Sequence, residues 1–279
     1  MSLCPTAALL NQARKNKRAI GAFTIDNMEM LIGVIKAAES MNTPAILQVA
    51  EKRLSHFPLH LVAHMMVLAA RMSDVPMAVH LDHGFSLDVI EKAVGYGFSS
   101  VMFDGSNLPL ATNIAETAKV VALAGKAGVS VEAEIGVARS GGSGPEHQAR
   151  YTDPAEAAEF AEHSGCSSLA VAVGNAHGQY LGKPALNFAV LEDIAEKVSV
   201  PLVLHDASGI SARDFRHAID LGISKIDVTA AGFDALAGAA ASVIRRGSYD
   251  HATLSEAMVE GVYGNTAAYM AIFNNRDAA

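Results

Sequence analysis

Eight short apolar runs, each followed by a longer stretch with helical period, constrain this chain more than any other feature. They cover residues 19–23, 45–49, 77–81, 100–103, 129–133, 168–173, 201–205 and 225–228. Runs like these, mostly unbroken by charge, suit strands buried on both faces of a parallel sheet, whereas a half-exposed strand alternates apolar with polar residues. Between them, Met28, Leu31, Ile32 and Ile35 recur at i, i+3, i+4 and i+7, and Val89, Ile90, Ala93 and Val94 repeat the pattern in shorter form. Helix starts are marked too. Asp26 with Glu29 forms a capping-box pair, Asp153 precedes Pro154 at the first helical position, and Ser86 and Ser211 are plausible caps.

Eight alternations in 279 residues predict an α/β chain folded as a (β/α)8 TIM barrel. A doubly wound open sheet uses the same alternation, but no G-x-G-x-x-G or Walker pattern follows the first strand. No linker or charge block divides the chain, so residues 1–279 are expected to form one domain, with a helical extension at about 251–275. The loosest segment is 137–151, which carries Ser-Gly-Gly-Ser-Gly at 140–144. A hydrophobic content of 51% against 18% charged residues supplies a large core and excludes disorder. No apolar run reaches the roughly 18 residues of a membrane span, and the N-terminus lacks a signal pattern. A net charge of −8 argues against nucleic acid, and the two cysteines, Cys4 and Cys166, have neither metal nor redox spacing. A cytoplasmic protein is expected.

In a barrel the C-terminal ends of the strands converge on one face. Those positions hold Gln48, Asp82 with His83, Asp104, Glu134, Asn175 with His177, His205 and Asp227. His83, His177 and His205 come from three different strand ends, which suits a catalytic zinc with an open fourth position. Asp104 and Glu134 are candidates for alternative ligands or for supports behind the histidines. His80, inside the third strand, reads as a buried structural partner; the remaining histidines fall in helices or loops. An amidohydrolase-type site would need His-x-His at the end of strand one, where this chain reads Ala-Phe-Thr-Ile-Asp. No lysine stands at a strand C-terminus; Lys225 is placed at the start of the eighth run.

The segments Ala22-Phe23-Thr24-Ile25-Asp26-Asn27, His80-Leu81-Asp82-His83-Gly84, Val131-Glu132-Ala133-Glu134-Ile135-Gly136, Gly174-Asn175-Ala176-His177-Gly178 and His205-Asp206-Ala207-Ser208-Gly209 occur in that order. With Tyr151-Thr152-Asp153-Pro154, they make the chain resemble the class II, zinc-dependent ketose-bisphosphate aldolases, which include tagatose- and fructose-bisphosphate aldolases. The resemblance implies a (β/α)8 barrel, zinc on His83, His177 and His205, and Asp82 as the catalytic acid/base. It implies a homodimer or homotetramer and a sugar or sugar-phosphate substrate, met in part by Asn175, Gly178 and Lys183. A mobile loop after strand five carries a further acid/base in such enzymes, and Glu146 is the carboxylate available there. The chemistry is coherent: cleavage β to a carbonyl leaves an enediolate, and without a lysine Schiff base the developing charge calls for a metal.

The chain departs from the family pattern where the phosphate end of the substrate is held. His205-Asp206 replaces His-Gly, Asp227-Val228-Thr229 replaces a segment beginning with Asn, and Gln48-Val49-Ala50 replaces Gln-x-Ser. Ser208 and Gly209 still offer a glycine-containing turn to an anion. Two carboxylates oppose one: at about 5 Å and an effective dielectric of ~20, each like-charge pair costs roughly 3 kcal/mol unless Lys183 or another cation compensates. The expectation is a retuned pocket, with Asp227 bonding a substrate hydroxyl and phosphate bound weakly or absent. Three activities follow from this reading: aldol cleavage of a phosphorylated or unphosphorylated ketose, epimerisation or isomerisation through the same enediolate, or sugar binding without catalysis.

Overall fold

The computed structural model describes residues 2–136, 139–140, 151–177, 185–206 and 209–274, with backbone alone at 139–140 and 176–177. Its strands are β1 (Ile20–Thr24), β2 (Ala45–Ala50), β3 (Met77–Gly84), β4 (Ser100–Phe103), β5 (Ser130–Ile135), β6 (Arg139–Ser140), β7 (Ser168–Val171), β8 (Ala176–His177), β9 (Leu202–Leu204) and β10 (Ile223–Val228). Eight of them close into a barrel in the order β1-β10-β9-β7-β5-β4-β3-β2, while β6 and β8 pair separately. Every barrel pairing is parallel. Each apolar run read from the sequence is a barrel strand. The last one starts at Ile223, so Lys225 is its third residue and lies inside the strand.

Helices α2 (Met28–Ser40), α3 (Leu59–Met72), α4 (Leu87–Gly95), α5 (Leu110–Gly125), α6 (Pro154–Ser164), α7 (Phe188–Lys197), α8 (Ala212–Asp220) and α9 (Ala230–Arg245) each follow a barrel strand. Two more lie outside the repeat: α1 (Thr6–Lys15) and α10 (His251–Phe273). Among the described residues no helix is long and apolar enough to cross a membrane. Asp153 caps α6 by accepting from Ala155 N and Glu156 N, and Ser211 caps α8 through Asp214 N. Ser86 sits at the α4 cap without a side-chain cap bond. The α2 cap is Asn27, which accepts from Met30 N, and not Asp26. Asp26 is engaged elsewhere, in an ion pair with Arg53.

The apolar stripe of α2 also differs from the expected one. Met30, Leu31, Val34, Ala37 and Ala38 are buried, whereas Met28 and Ile32 are 46% and 45% exposed. The reason is that α10 packs along α2, so α2 is covered by the barrel and by a second helix. Gly33 permits the approach: a Cβ there would stand 2.8 Å from Val262 Cβ and 2.9 Å from the Val259 carbonyl oxygen.

The barrel interior is layered. Leu9, Leu10 and Ala13 of α1 pack against the inward residues Ile20, Ala22, Ile46 and Ala78, forming an apolar floor separate from the core between strands and helices. The sequence pattern from residue 19 onward gives no hint of that plug. One inward position higher the layer is polar, with Gln48, His80, Glu132 and Lys225 all buried. The next inward positions toward the strand ends carry Ala50, Asp82, Glu134 and Asp227. The site is built there.

Candidate active site

Consecutive residues of a strand point to opposite faces, so Asp82 and His83 cannot both enter a barrel from a regular strand. The β3–β4 register shifts between Leu81 and Gly84, and His83 takes a left-handed φ of 44°. That irregularity turns both side chains toward the strand ends. Gly84 then passes so close to β4 that a Cβ would lie 2.5 Å from the Met102 carbonyl oxygen.

His83 and His205 meet with ring centroids 4.9 Å apart. Each ring has one nitrogen committed to a carboxylate. His83 Nδ1 bonds Asp104 Oδ2 at 2.8 Å, and His205 Nε2 bonds Glu132 Oε1 at 2.9 Å. Glu134 Oε2 lies between the rings, 3.8 Å from His83 Nδ1 and 3.3 Å from His205 Nδ1. Donor atoms of His83, Glu134 and His205 all fall within 4.8 Å of one another, and so do those of Asp82, His205 and Asp227. Asp82 Oδ1 is a buried acceptor without a hydrogen-bond partner among the described residues, 3.9 Å from His83 Nε2. Imidazoles and carboxylates gathered in this way fit a borderline divalent cation such as zinc. Asp104 holds a histidine in place, the support that ring orientation requires.

Beneath this cluster Lys225 is fully buried, with Nζ 2.9 Å from both Glu132 Oε1 and Asp227 Oδ1. Burial works against its charge, but Asp227 and Glu132 outweigh burial and hold the ammonium above its ordinary range. A lysine kept charged has no lone pair for a Schiff base, which agrees with the sequence argument. Burial likewise opposes charge on His83 and His205. Asp82 and the bond to Asp104 raise His83 nonetheless, and Asp227 and Glu132 raise His205 well above the normal imidazole range. For Asp82, burial favours the neutral acid, yet His83, His205 and Lys225 lower it overall. His80 stays neutral, pushed down to about 3 by burial and Lys225, and bonds Ser100 Oγ through Nδ1 at 2.8 Å.

The site opens into a pocket of about 210 Å³ that exposes Asp82, His83, His205, Asp206, Asp227 and Thr229. Asp206 therefore faces the pocket along with Asp227, in a left-handed conformation (φ 57°) that suits glycine and that aspartate tolerates. Thr229 pairs with Thr24 through their hydroxyls at 2.8 Å.

Other residues read from the sequence are placed differently. Gln48 is fully buried at the level of His80, one inward position below the pocket-lining Ala50. Asn175 uses its amide on the backbone, accepting from Val173 N and donating to the His205 carbonyl, so it props the strand end that bears His205. Gly209 has a left-handed φ of 76° and is not among the pocket-lining residues. The backbone of His177 pairs in register with Ser140, and its side chain, like Glu146, Gly178, Lys183 and Ser208, lies outside the described residues. Glu132, Thr24, Lys52, Arg53 and Phe233 also belong to the site and are not among the strand-end candidates, and Lys225, expected at the start of the eighth run, joins them from inside it. Glu132 and Lys225 occupy strand interiors, where a search of strand ends does not look. Glu132 had one available signal, an acidic residue at an inward position of an otherwise apolar strand.

A family profile described as fructose-bisphosphate aldolase class-II matches residues 4–278. The protein YdjI of Escherichia coli (strain K12) is 43% identical over 220 residues, 78% of this chain and 79% of that one. The X-ray structure of the YdjI aldolase from Escherichia coli K12 superposes with a TM-score of 0.87 at 38% identity, covering 97% of each chain. A putative fructose-1,6-biphosphate aldolase from Coccidioides immitis superposes with a TM-score of 0.84 at 29% identity, covering 95% of this chain and 94% of that one. With the matched length, the barrel and the His–carboxylate cluster in agreement, the chain belongs to the class-II fructose-bisphosphate aldolase family and is a carbon–carbon lyase.

Proposed function

We propose that the chain catalyses reversible, zinc-dependent retro-aldol cleavage of a sugar-type ketose, with a phosphate pocket unlike that of a standard bisphosphate aldolase. The observation that supports it best is the shared space between His83, Glu134 and His205, with the Asp82 carboxylate at its edge. His177 completes the ligand set in this reading, and Asp104 and Glu132 orient the two described imidazoles. Zinc bound there supplies a Lewis acid for the oxygens on which negative charge develops. Asp82, ionised at neutral pH, takes the proton from the hydroxyl of the breaking bond. Glu146 returns a proton to the enediolate carbon. Asp227, anchored by Lys225 through one oxygen, accepts a substrate hydroxyl on the other. Asp206 adds a second carboxylate to that wall and disfavours a phosphate beside it. A cytoplasmic homodimer or homotetramer belongs to the same proposal, and the exposed Leu61, Leu68 and Met72 of α3 offer apolar surface for assembly.

The test is a retro-aldol screen with zinc present, comparing fructose and tagatose 1,6-bisphosphates with ketose 1-phosphates and unphosphorylated ketoses. Two shorter carbonyl products from one of these ketoses support the proposal. A single stereoisomeric product would instead establish an epimerase. A clear kcat/KM preference for the bisphosphates would overturn the retuned pocket while leaving the aldolase.

Metal loading should depend steeply on pH. Both described imidazoles have pKa values raised in the metal-free chain, so an entering ion must displace their protons. Their protonated forms persist above the ordinary imidazole range, so apparent affinity falls as pH falls, beginning above about 6.5. We expect zinc affinity, read by competition with a chromophoric chelator, to drop by at least about tenfold from pH 8 to pH 6. An affinity independent of pH would remove both histidines from the ligand set.

A further inference from the structure

Directly after β2 the chain makes a single 3₁₀ turn, Glu51–Arg53, whose three residues are all charged. Its two ends are fastened to neighbouring strand ends. The Glu51 carboxylate accepts from Phe85 N at 2.7 Å and Ser86 N at 3.1 Å, in the segment that follows His83. The Arg53 guanidinium makes a two-point pair with Asp26 after β1, and stands 5.0 Å from the centre of the Phe233 ring. Lys52 lies between them, exposed, without an ion-pair partner among the described residues, and lines the same pocket as Asp82, His83 and His205.

The pocket is therefore polarised. The wall at β9 and β10 carries Asp206 and Asp227, whereas the rim at β2 carries Lys52 and Arg53. Arg53 is paired with Asp26 and the Glu51 carboxylate is turned to the backbone of Phe85 and Ser86, which leaves Lys52 as the pocket-lining cation of that turn without an ion-pair partner among the described residues. Its backbone is fixed on both sides, so little chain ordering opposes binding there.

We propose that Lys52 is a specificity-determining residue that binds an oxyanion carried by the substrate, a phosphate or a carboxylate, at the β2 rim of the pocket that Asp206 and Asp227 also line. The assignment rests on the aldolase reading of the site. It supplies the cation that the two carboxylates otherwise make necessary, and it draws the anionic part of the ketose toward β2 while the hydroxyl-bearing part meets Asp227.

The experiment compares Lys52→Ala, Lys52→Arg and the unaltered enzyme, zinc-loaded, on fructose, fructose 1-phosphate, fructose 1,6-bisphosphate and fructuronate. Lys52 is exposed and its flanking anchors remain, so the variants should fold. For one or more of the anionic ketoses, KM should rise about tenfold in Lys52→Ala with kcat within about twofold, and Lys52→Arg should restore it. The ketose affected identifies the source of the oxyanion: a 1-phosphate, a terminal phosphate or a terminal carboxylate. Equal losses on every ketose, fructose included, or no loss on any, would overturn the proposal. A second readout is independent of turnover. The inorganic phosphate concentration giving half-maximal thermal stabilisation should rise at least about fivefold in Lys52→Ala and recover in Lys52→Arg. If the enzyme cleaves none of these ketoses, that titration still decides the role of Lys52, and the failure belongs to the aldolase reading alone.

Discussion

Replacing Asp82 by asparagine is expected to lower kcat by about 10²–10⁴-fold while zinc stoichiometry and KM stay close to those of the unaltered protein. Asparagine keeps the size of the side chain and an acceptor oxygen, but it cannot take a proton. The geometry separates Asp82 from the histidine supports: Asp104 and Glu132 bond imidazole nitrogens directly, whereas Asp82 stands 3.9 Å from His83 Nε2. Its lowered pKa keeps it ionised and ready as a base across neutral pH. Metal analysis and steady-state kinetics on the same preparation check the expectation. Loss of zinc in Asp82→Asn would make Asp82 a ligand, which its place in the cluster with His205 and Asp227 also allows.

The barrel was legible in the sequence because its strands are buried on both faces. A strand such as β2, buried at all six positions, is written mostly in apolar residues, and eight such short runs alternating with helical stretches give the barrel its pattern. α1 was not legible, since its inward face is only Leu9, Leu10 and Ala13 and no side chain caps it. That Asn27 and not Asp26 caps α2 has a physical reason outside the local sequence. Either can cap a helix, and only the position of Arg53, twenty-seven residues on, decides which one does. The buried stripe on α2 departs from the periodic one because a helix between two partners has no single apolar face.

At the site, the polar strand ends were legible because polar residues interrupt apolar runs where strands stop. What those residues touch was not. Asn175 and Gln48 occupy strand-end positions much as His205 does, yet one is tied to the backbone and the other lies a layer too deep. The turn bearing Lys52 and Arg53 reads as ordinary surface charge until β1, β2 and β3 are brought side by side. A lysine in an apolar run looks like the edge of that run, whereas Lys225 is the centre of a buried ionic cluster.

That cluster carries the other large effect. Substituting Lys225 by methionine is expected to destabilise the metal-free protein by about 3–5 kcal/mol, because it leaves Glu132 and Asp227 buried without their shared cation. For a chain of this size that is a fall in Tm of roughly 5–9 °C. The dependence on pH distinguishes lost charge pairing from lost packing. In the unaltered protein Glu132 is held below its ordinary range, its burial outweighed by Lys225 and the His205 bond, so it contributes stability that is present above its unfolded pKa and lost as pH falls. In Lys225→Met burial prevails: the folded-state pKa of Glu132 rises above its unfolded value, and that of Asp227, which burial already raises in the unaltered protein against the pull of Lys225, rises further. The folded variant then binds more protons than the unfolded chain, and its stability falls as pH rises through that window. Both trends narrow the gap between the two proteins at low pH. Melts in chelator at pH 8 and pH 5 should therefore show a deficit that shrinks at pH 5, and Glu132→Gln added to Lys225→Met should recover part of it at pH 8. A deficit of the same size at both pH values would mean that the lysine serves by filling space, and that Asp227 and Glu132 need no cation to hold their positions under the His83–Glu134–His205 cluster.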